Sequence, residues 1–159
     1  MERTRNMDHE RYAGDLFLRG YNCAQSVAVA FCDVTGLTED YAAKMASSFG
    51  GGMGRMREVC GAVSGMLMVL GLVYGYHTPG DDESKKKQYA VVQELAGKFR
   101  EETGSIVCRE ILKNPPSDPN PSPRTAEYYA KRPCARMVMT AARILDEYMA
   151  ANPPEGSHG

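Results

Sequence analysis

The sequence predicts an all-α, single-domain helical bundle of about six to seven helices with one proline-rich loop. Three observations carry that prediction. Apolar residues recur at helical spacing, as Val91, Leu95 and Phe99 do. Residues that start and stop helices punctuate the chain at short intervals. Alternating, β-branched strand patterns are nearly absent. A length of 159 residues suits one domain and can bury a core without covalent staples.

Taken in order, a first helix is expected over about Asp8 to Leu18, with Tyr12, Leu16 and Phe17 on one side and Gly20 after it. Asn22 with Gln25 reads as a capping box, opening a second helix to about Cys32. Thr38 caps a third, with Glu39 and Asp40 in the first turn where the helix dipole favours negative charge, running to about Ser48. Gly50, Gly51, Gly52 and Gly54 then form a flexible loop. An apolar helix follows from about Glu58 to Tyr74, and a long amphipathic one from about Ser84 to Glu102, with Gly104 as its cap. Ser105 opens a short helix to about Lys113. The prolines from Pro115 to Pro123 make an extended arm. The last helix begins at Pro133, a residue favoured at the first helical position, and continues through Met137, Ile144 and Tyr148. The domain is expected to span residues 1–151, with 152–159 a flexible tail.

Composition narrows the function. The net charge is −1 with both signs mixed along the chain, and no basic stripe marks a nucleic-acid partner. Met1 to Glu10 lacks the apolar stretch of a signal peptide, so a cytoplasmic setting is expected. The uncharged run from Val59 to Tyr76 falls short of the roughly 20 apolar residues a membrane span needs. It reads as the central helix of a bundle, apolar all round.

Five cysteines in such a chain call for an explanation, because disulfides are rare in reducing compartments. Four share a local context: Cys23, Cys60, Cys108 and Cys134 each fall at the start of an expected helix. Unpaired amides and the dipole there favour the thiolate, which is both nucleophile and metal ligand. Four such placements suggest that the helix ends converge. Cys32 faces away from Cys23 and is expected to be a buried structural residue. No C-x-x-C pair or ferredoxin run is present, so any site is assembled by the fold.

The glycine loop fails the phosphate-binding patterns. Gly52 and Gly54 are better read as allowing close backbone approach, with amides turned toward a bound anion, thiolate or cluster sulfur. Gly61 and Gly65 share a helix face and admit a close neighbour. His9, His77 and His158 are expected to be solvated. Met53, Met56, Met66 and Met68 are expected as core filler. Arg55, Arg57 and Glu58 form a solvated turn, or Arg55 or Arg57 instead sits near the thiolates and lowers their pKa.

These residues resemble the small redox-active proteins named for the cysteine pattern C-GCAxxG-C-C. The motif appears as Cys60-Gly61-Ala62-Val63-Ser64-Gly65, flanked by Cys23 in GYNCAQSV, Cys108 in GSIVCREIL and Cys134 in RPCARMV. The family label writes GCAxxG where this chain has CGAVSG. The resemblance covers about Gly20 to Met139 and implies a redox or electron-transfer role, as an accessory to an oxidoreductase. By analogy with split-Soret cytochromes it implies an iron–sulfur cluster, [2Fe–2S] first, held by the four cysteines, with Gly52, Gly54, Gly61, Ala62 and Gly65 around it. A metal-free thiol–disulfide protein and a bundle with a structural zinc site stand as alternatives. Expected partners are an oxidoreductase or electron-transfer protein, and a second copy of the chain; no nucleic acid or membrane is expected.

Overall fold

The computed structural model describes residues 8–154, and every structural statement below concerns those residues. They are helical, with no strand; an isolated antiparallel bridge joins Val59 and Val107.

Helix α1 spans His9–Leu18. Asp8 caps it by accepting the Arg11 amide, and Ala13, Leu16 and Phe17 form its buried face. Helix α2, Cys23–Ala30, opens with the expected capping box of Asn22 and Gln25. It is buried almost all round and stops at Phe31, short of Cys32. A separate turn, α3 (Cys32–Thr35), follows and ends at the left-handed Gly36. Thr38 caps α4 (Glu39–Ala46) as expected.

The chain then tightens into a single 3-10 turn, Ser47–Phe49, and the distorted turn α5, Gly50–Met53. Helix α6, Gly61–Tyr74, starts later than expected, because Glu58 and Val59 are held extended by the bridge to Val107. Its 14 residues measure about 21 Å, too short for a bilayer core. No described helix is long and apolar enough to cross a membrane.

Helix α7 runs over Asp82–Thr103; Asp81 caps it by accepting the Ser84 amide, so it begins before Ser84. The turn α8 is confined to Cys108–Ile111. Ser105 is no helix cap; its hydroxyl accepts the Val107 amide instead. Within the expected proline-rich loop the structure adds a short helix, α9 (Ala126–Lys131), capped by Thr125. Helix α10 covers Cys134–Ala151, with Pro133 at the cap and Cys134 as its first residue.

Helix α10 lies along α1, and α2 sits between α6 and α4. Helices α2, α6 and α10 meet at the centre, where Phe17, Phe31, Met66, Leu70, Leu95, Phe99 and Ile144 are buried. Burying each such side chain contributes roughly 1.5–3 kcal/mol. The approach of α2 to α6 depends on Gly65, where an added Cβ would fall 2.7 Å from the Ala24 carbonyl oxygen. The expected steric reason for Gly61 and Gly65 on one face thus holds. At the far end, the Tyr74 hydroxyl donates to the Asn152 carbonyl at 2.6 Å. Residues 155–159 of the expected tail, His158 among them, lie outside the described residues.

Candidate functional site

Helices α2, α6 and α10 and the turn α8 all begin at one cavity, and each has one of the four cysteines at its cap or first position. Cys23, Cys108 and Cys134 are the first residues of α2, α8 and α10, and Cys60 is the N-cap of α6. All four side chains line one cavity of about 440 Å³. Cys60, Cys108 and Cys134 are buried and Cys23 is half-buried; all are free thiols. Cys32 stands apart. It is half-buried rather than buried, with its thiol 3.9 Å from the Ala28 carbonyl oxygen.

The helix-start argument alone would lower every one of these thiol pKa values. Burial overrides it at Cys60 and Cys108, and the interaction with Cys134 overrides it at Cys23. Burial pushes Cys60 up to about 12, against the opposing pull of the Ala62 and Val63 amides. Cys108 is also raised by burial, although Arg57 beside it pulls the other way. Cys23 is raised well above the usual thiol range, chiefly because its hydrogen bond with Cys134 holds its proton. Cys134 is the exception. That hydrogen bond from Cys23 draws it down to about 7, against burial and with help from Arg132, Arg124 and Arg57. A thiolate at Cys134 with a thiol at Cys23 is the arrangement of an attacking and a resolving sulfur.

Arg57 is not in a solvated turn. It is 3 % exposed. Its Nε donates to the Pro116 carbonyl at 2.8 Å and its Nη1 approaches Cys108 Sγ at 3.6 Å. Its Nη2 is buried with no hydrogen-bond partner. Arg55 donates from Nε to the Asp118 carbonyl at 2.7 Å. Glu58 is exposed and pairs with Arg109.

The loop between α5 and α6 holds these arginines by unusual backbone geometry. Met53, Arg55 and Arg57 all have positive φ, a conformation that costs non-glycine residues energy. Gly52 makes it feasible: a Cβ there would fall 2.6 Å from the Cys108 Cβ and 2.7 Å from the Glu58 nitrogen. The loop amides do not reach into the cavity as a set. Those of Arg55, Arg57 and Glu58 donate to the carbonyls of Gly50, Gly51 and Gly52.

Two cavity arginines were not singled out in the sequence: Arg124 and Arg132. Arg124 donates to the Phe17 and Tyr21 carbonyls at 3.1 and 3.0 Å and stacks over the Phe17 ring. Arg132 stacks over Tyr128. Arg132 stands two residues before Cys134, and a cation that near a helix-start cysteine was the available signal. Nothing local marks Arg124. Of the methionines, Met66 is buried, Met53 and Met68 are half-buried, and Met56 is 55 % exposed and no core filler. His9 is not solvated but 3 % exposed, hydrogen-bonded between Asp33 and Asp146. His77 is exposed, as expected.

Among the described residues, no three His, Cys, Asp or Glu side chains are gathered as a single metal ion would require. A tetrahedral zinc site needs its thiolates on one point, at about 2.3 Å. The four thiols instead surround a space.

The fold and site define an all-α protein with a buried cluster of thiols at its helix starts. The chain matches the family described as "Putative redox-active protein (C_GCAxxG_C_C)" over residues 21–148, a span that contains all four cysteines. It belongs to that family. No curated protein and no solved structure matches it.

Proposed function

We propose that this is a thiol–disulfide redox protein in which Cys134 and Cys23 cycle between a dithiol and a disulfide. The observation that carries the reading is that Cys23 and Cys134, the first residues of α2 and α10, line one cavity together with Arg57, Arg124 and Arg132, where the interaction of the two thiols raises Cys23 and lowers Cys134. Oxidation removes two electrons and two protons from the pair and forms one S–S bond. A disulfide supplied by a partner takes the electrons. The Cys134 thiolate attacks one of its sulfurs, the S–S bond breaks and the first thiolate leaves. Cys23 then attacks Cys134 Sγ, releases the second thiolate, and its proton goes to the leaving sulfur. Cys23 and Cys134 both line the cavity, which is the route by which a partner sulfur would reach them. Membership of a redox-active family supports a redox partner, for which an oxidoreductase is our reading.

The test is to equilibrate the reduced protein in thiol/disulfide buffers without oxygen, block free thiols and map the bridge by mass spectrometry. A reversible Cys23–Cys134 disulfide is expected, lost in Cys134→Ser and retained in Cys32→Ser. No bridge at any poise overturns the reading.

One observation keeps a second reading alive. Four thiols from four elements face one cavity, and its volume leaves more room than two sulfurs need. The donor set suits an iron–sulfur cluster, whose ligands stand around a body rather than on a point. Cys23, Cys60, Cys108 and Cys134 would hold it, with Gly52, Gly54 and Gly61 on the same cavity wall; Ala62 and Gly65 lie outside that lining, Gly65 being set against Ala24 and Val27 of α2. A [2Fe–2S] cluster there would supply one-electron transfer. Stoichiometric iron and acid-labile sulfide in protein purified without oxygen favours this reading over the first.

A further inference from the structure

The cavity carries a charge imbalance that the thiol pair does not explain. Its described lining includes Arg55, Arg57, Arg124 and Arg132 but no aspartate, glutamate or lysine. Each arginine has a different degree of engagement. Arg124 is taken up by the Phe17 and Tyr21 carbonyls and the Tyr129 hydroxyl. Arg55 reaches the Asp118 carbonyl and Ser122 Oγ, with the Asp118 carboxylate 4.0 Å away. Arg132 makes one hydrogen bond, to Ser122 Oγ at 3.5 Å, and stacks over Tyr128. Arg57 is the decisive one: buried, anchored by Nε and Nη1, and with Nη2 left without an acceptor.

A buried guanidinium nitrogen without an acceptor is costly, and native proteins rarely leave one so. The neighbouring sulfurs are weak acceptors. An oxygen anion suits the place better, because a guanidinium binds a carboxylate or similar group through two parallel hydrogen bonds. A volume of about 440 Å³ lies in the range of small-molecule sites.

We infer that the cavity is a substrate site for a small carboxylate-bearing disulfide, whose anionic group sits on Arg57 Nη2 with Arg132 beside it and whose sulfurs lie against Cys134. The inference rests on the thiol–disulfide reading above. It adds that the oxidant is small and anionic, and that Arg57 selects it. In the step, Cys134 Sγ bonds to one sulfur of the substrate and the substrate S–S bond breaks. One anionic thiol leaves at that point and the second when Cys23 closes the protein disulfide. The products are two reduced thiols and one Cys23–Cys134 bridge.

Two alkylating agents of nearly equal size test the site. Iodoacetate carries a carboxylate and iodoacetamide is neutral. On the reduced full chain, iodoacetate is expected to modify Cys134 with saturation and roughly tenfold faster than iodoacetamide, the worth of one charge-assisted contact. Sulfate is expected to compete with iodoacetate. Arg57→Met slows both reagents, because Arg57 also favours the Cys134 thiolate, so the readout is their ratio, which is expected to fall below one. Arg132→Gln, at a half-buried position, is expected to reduce the ratio in part and covers failure of the Arg57 variant to fold.

Unsaturated modification of Cys134, with iodoacetamide the faster reagent, overturns the anion site and leaves the thiol reading intact. Failure of both reagents at Cys134 overturns the thiol reading; sulfate calorimetry on the same protein then decides the anion site alone, and absence of binding overturns it too. A carboxylate-bearing disulfide that oxidises the pair no faster than a neutral one overturns the substrate assignment and reduces the site to one for free oxyanions.

Discussion

At the scale of single residues, the site separates four chemically identical side chains by their surroundings. A thiolate in a buried site needs compensating charge or hydrogen bonds. Cys134 has both, from the Cys23 thiol and three arginines, and titrates at about 7. Cys60 has two backbone amides against deep burial and titrates at about 12. Iodoacetamide labelling across pH is therefore expected to modify Cys134 first. Its rate should rise from pH 6 to pH 8 with a midpoint near 7, while Cys60 stays unlabelled over that range. Peptide mapping checks this, and labelling of Cys60 before Cys134 contradicts it. The positions of the four cysteines were legible in the sequence, because caps and glycines locate helix starts. Their ionisation was not. It depends on how deep each start is buried and on which partners the fold brings to it: Cys134 is set by Cys23, more than a hundred residues earlier, and by Arg132, Arg124 and Arg57. Arg57 was legible only as one of two opposite alternatives.

At the scale of elements, a buried polar tie joins three elements outside the lining of the thiol cavity. His9 of α1 bonds Asp33 of α3 through Nε2 at 2.9 Å and Asp146 of α10 through Nδ1 at 2.7 Å, and stacks on Phe31. Burial alone would lower the His9 pKa; the hydrogen bonds to Asp146 and Asp33 overcome it and raise it to about 9. A group raised in the folded state contributes stability that is complete below its unfolded value, near 6.5, and lost as pH rises through 9. The shift corresponds to about 3 kcal/mol at most. The difference in urea unfolding free energy between the wild type and His9→Gln is expected to be largest at pH 6 and to shrink toward pH 10. A difference that is flat or grows over that range contradicts the charged bridge. This tie was hidden in the sequence because both aspartates are remote from His9. Helix α4, by contrast, followed from Thr38 and the acids after it. Helix α9 was masked by the prolines around it, since Thr125 and six following residues are too short to show a period. The break at Phe31 has no local signal, because the apolar pattern runs straight through it.

At the scale of the whole molecule, the cavity exists only because the proline-rich arm closes over the helix starts. Lys113 and Asn114, both at positive φ, turn the chain out of α8. Arginines then hold the arm down by backbone carbonyls: Arg55 at Asp118 and Arg57 at Pro116. At the far end of the arm, Arg124 itself reaches back to Phe17 and Tyr21. Proline suits this use, since it cannot donate a backbone N–H and leaves its carbonyl free to accept. The same residues that set the charge of the cavity therefore also roof it, so access to the thiols and their electrostatics are coupled. Arg124→Met is expected to loosen the arm, with faster amide exchange at the non-proline residues of 113–125 and faster labelling of Cys108 by iodoacetamide. A surface control, Arg143→Met, removes ion pairs to Glu102 and Glu147 and should leave both unchanged, at a stability cost within about 1 kcal/mol. If Arg124→Met lowered overall stability without changing exchange in the arm, the arm would be held by its own packing. The coupling of access to charge would then fail, while the pairing of Cys23 with Cys134 would stand.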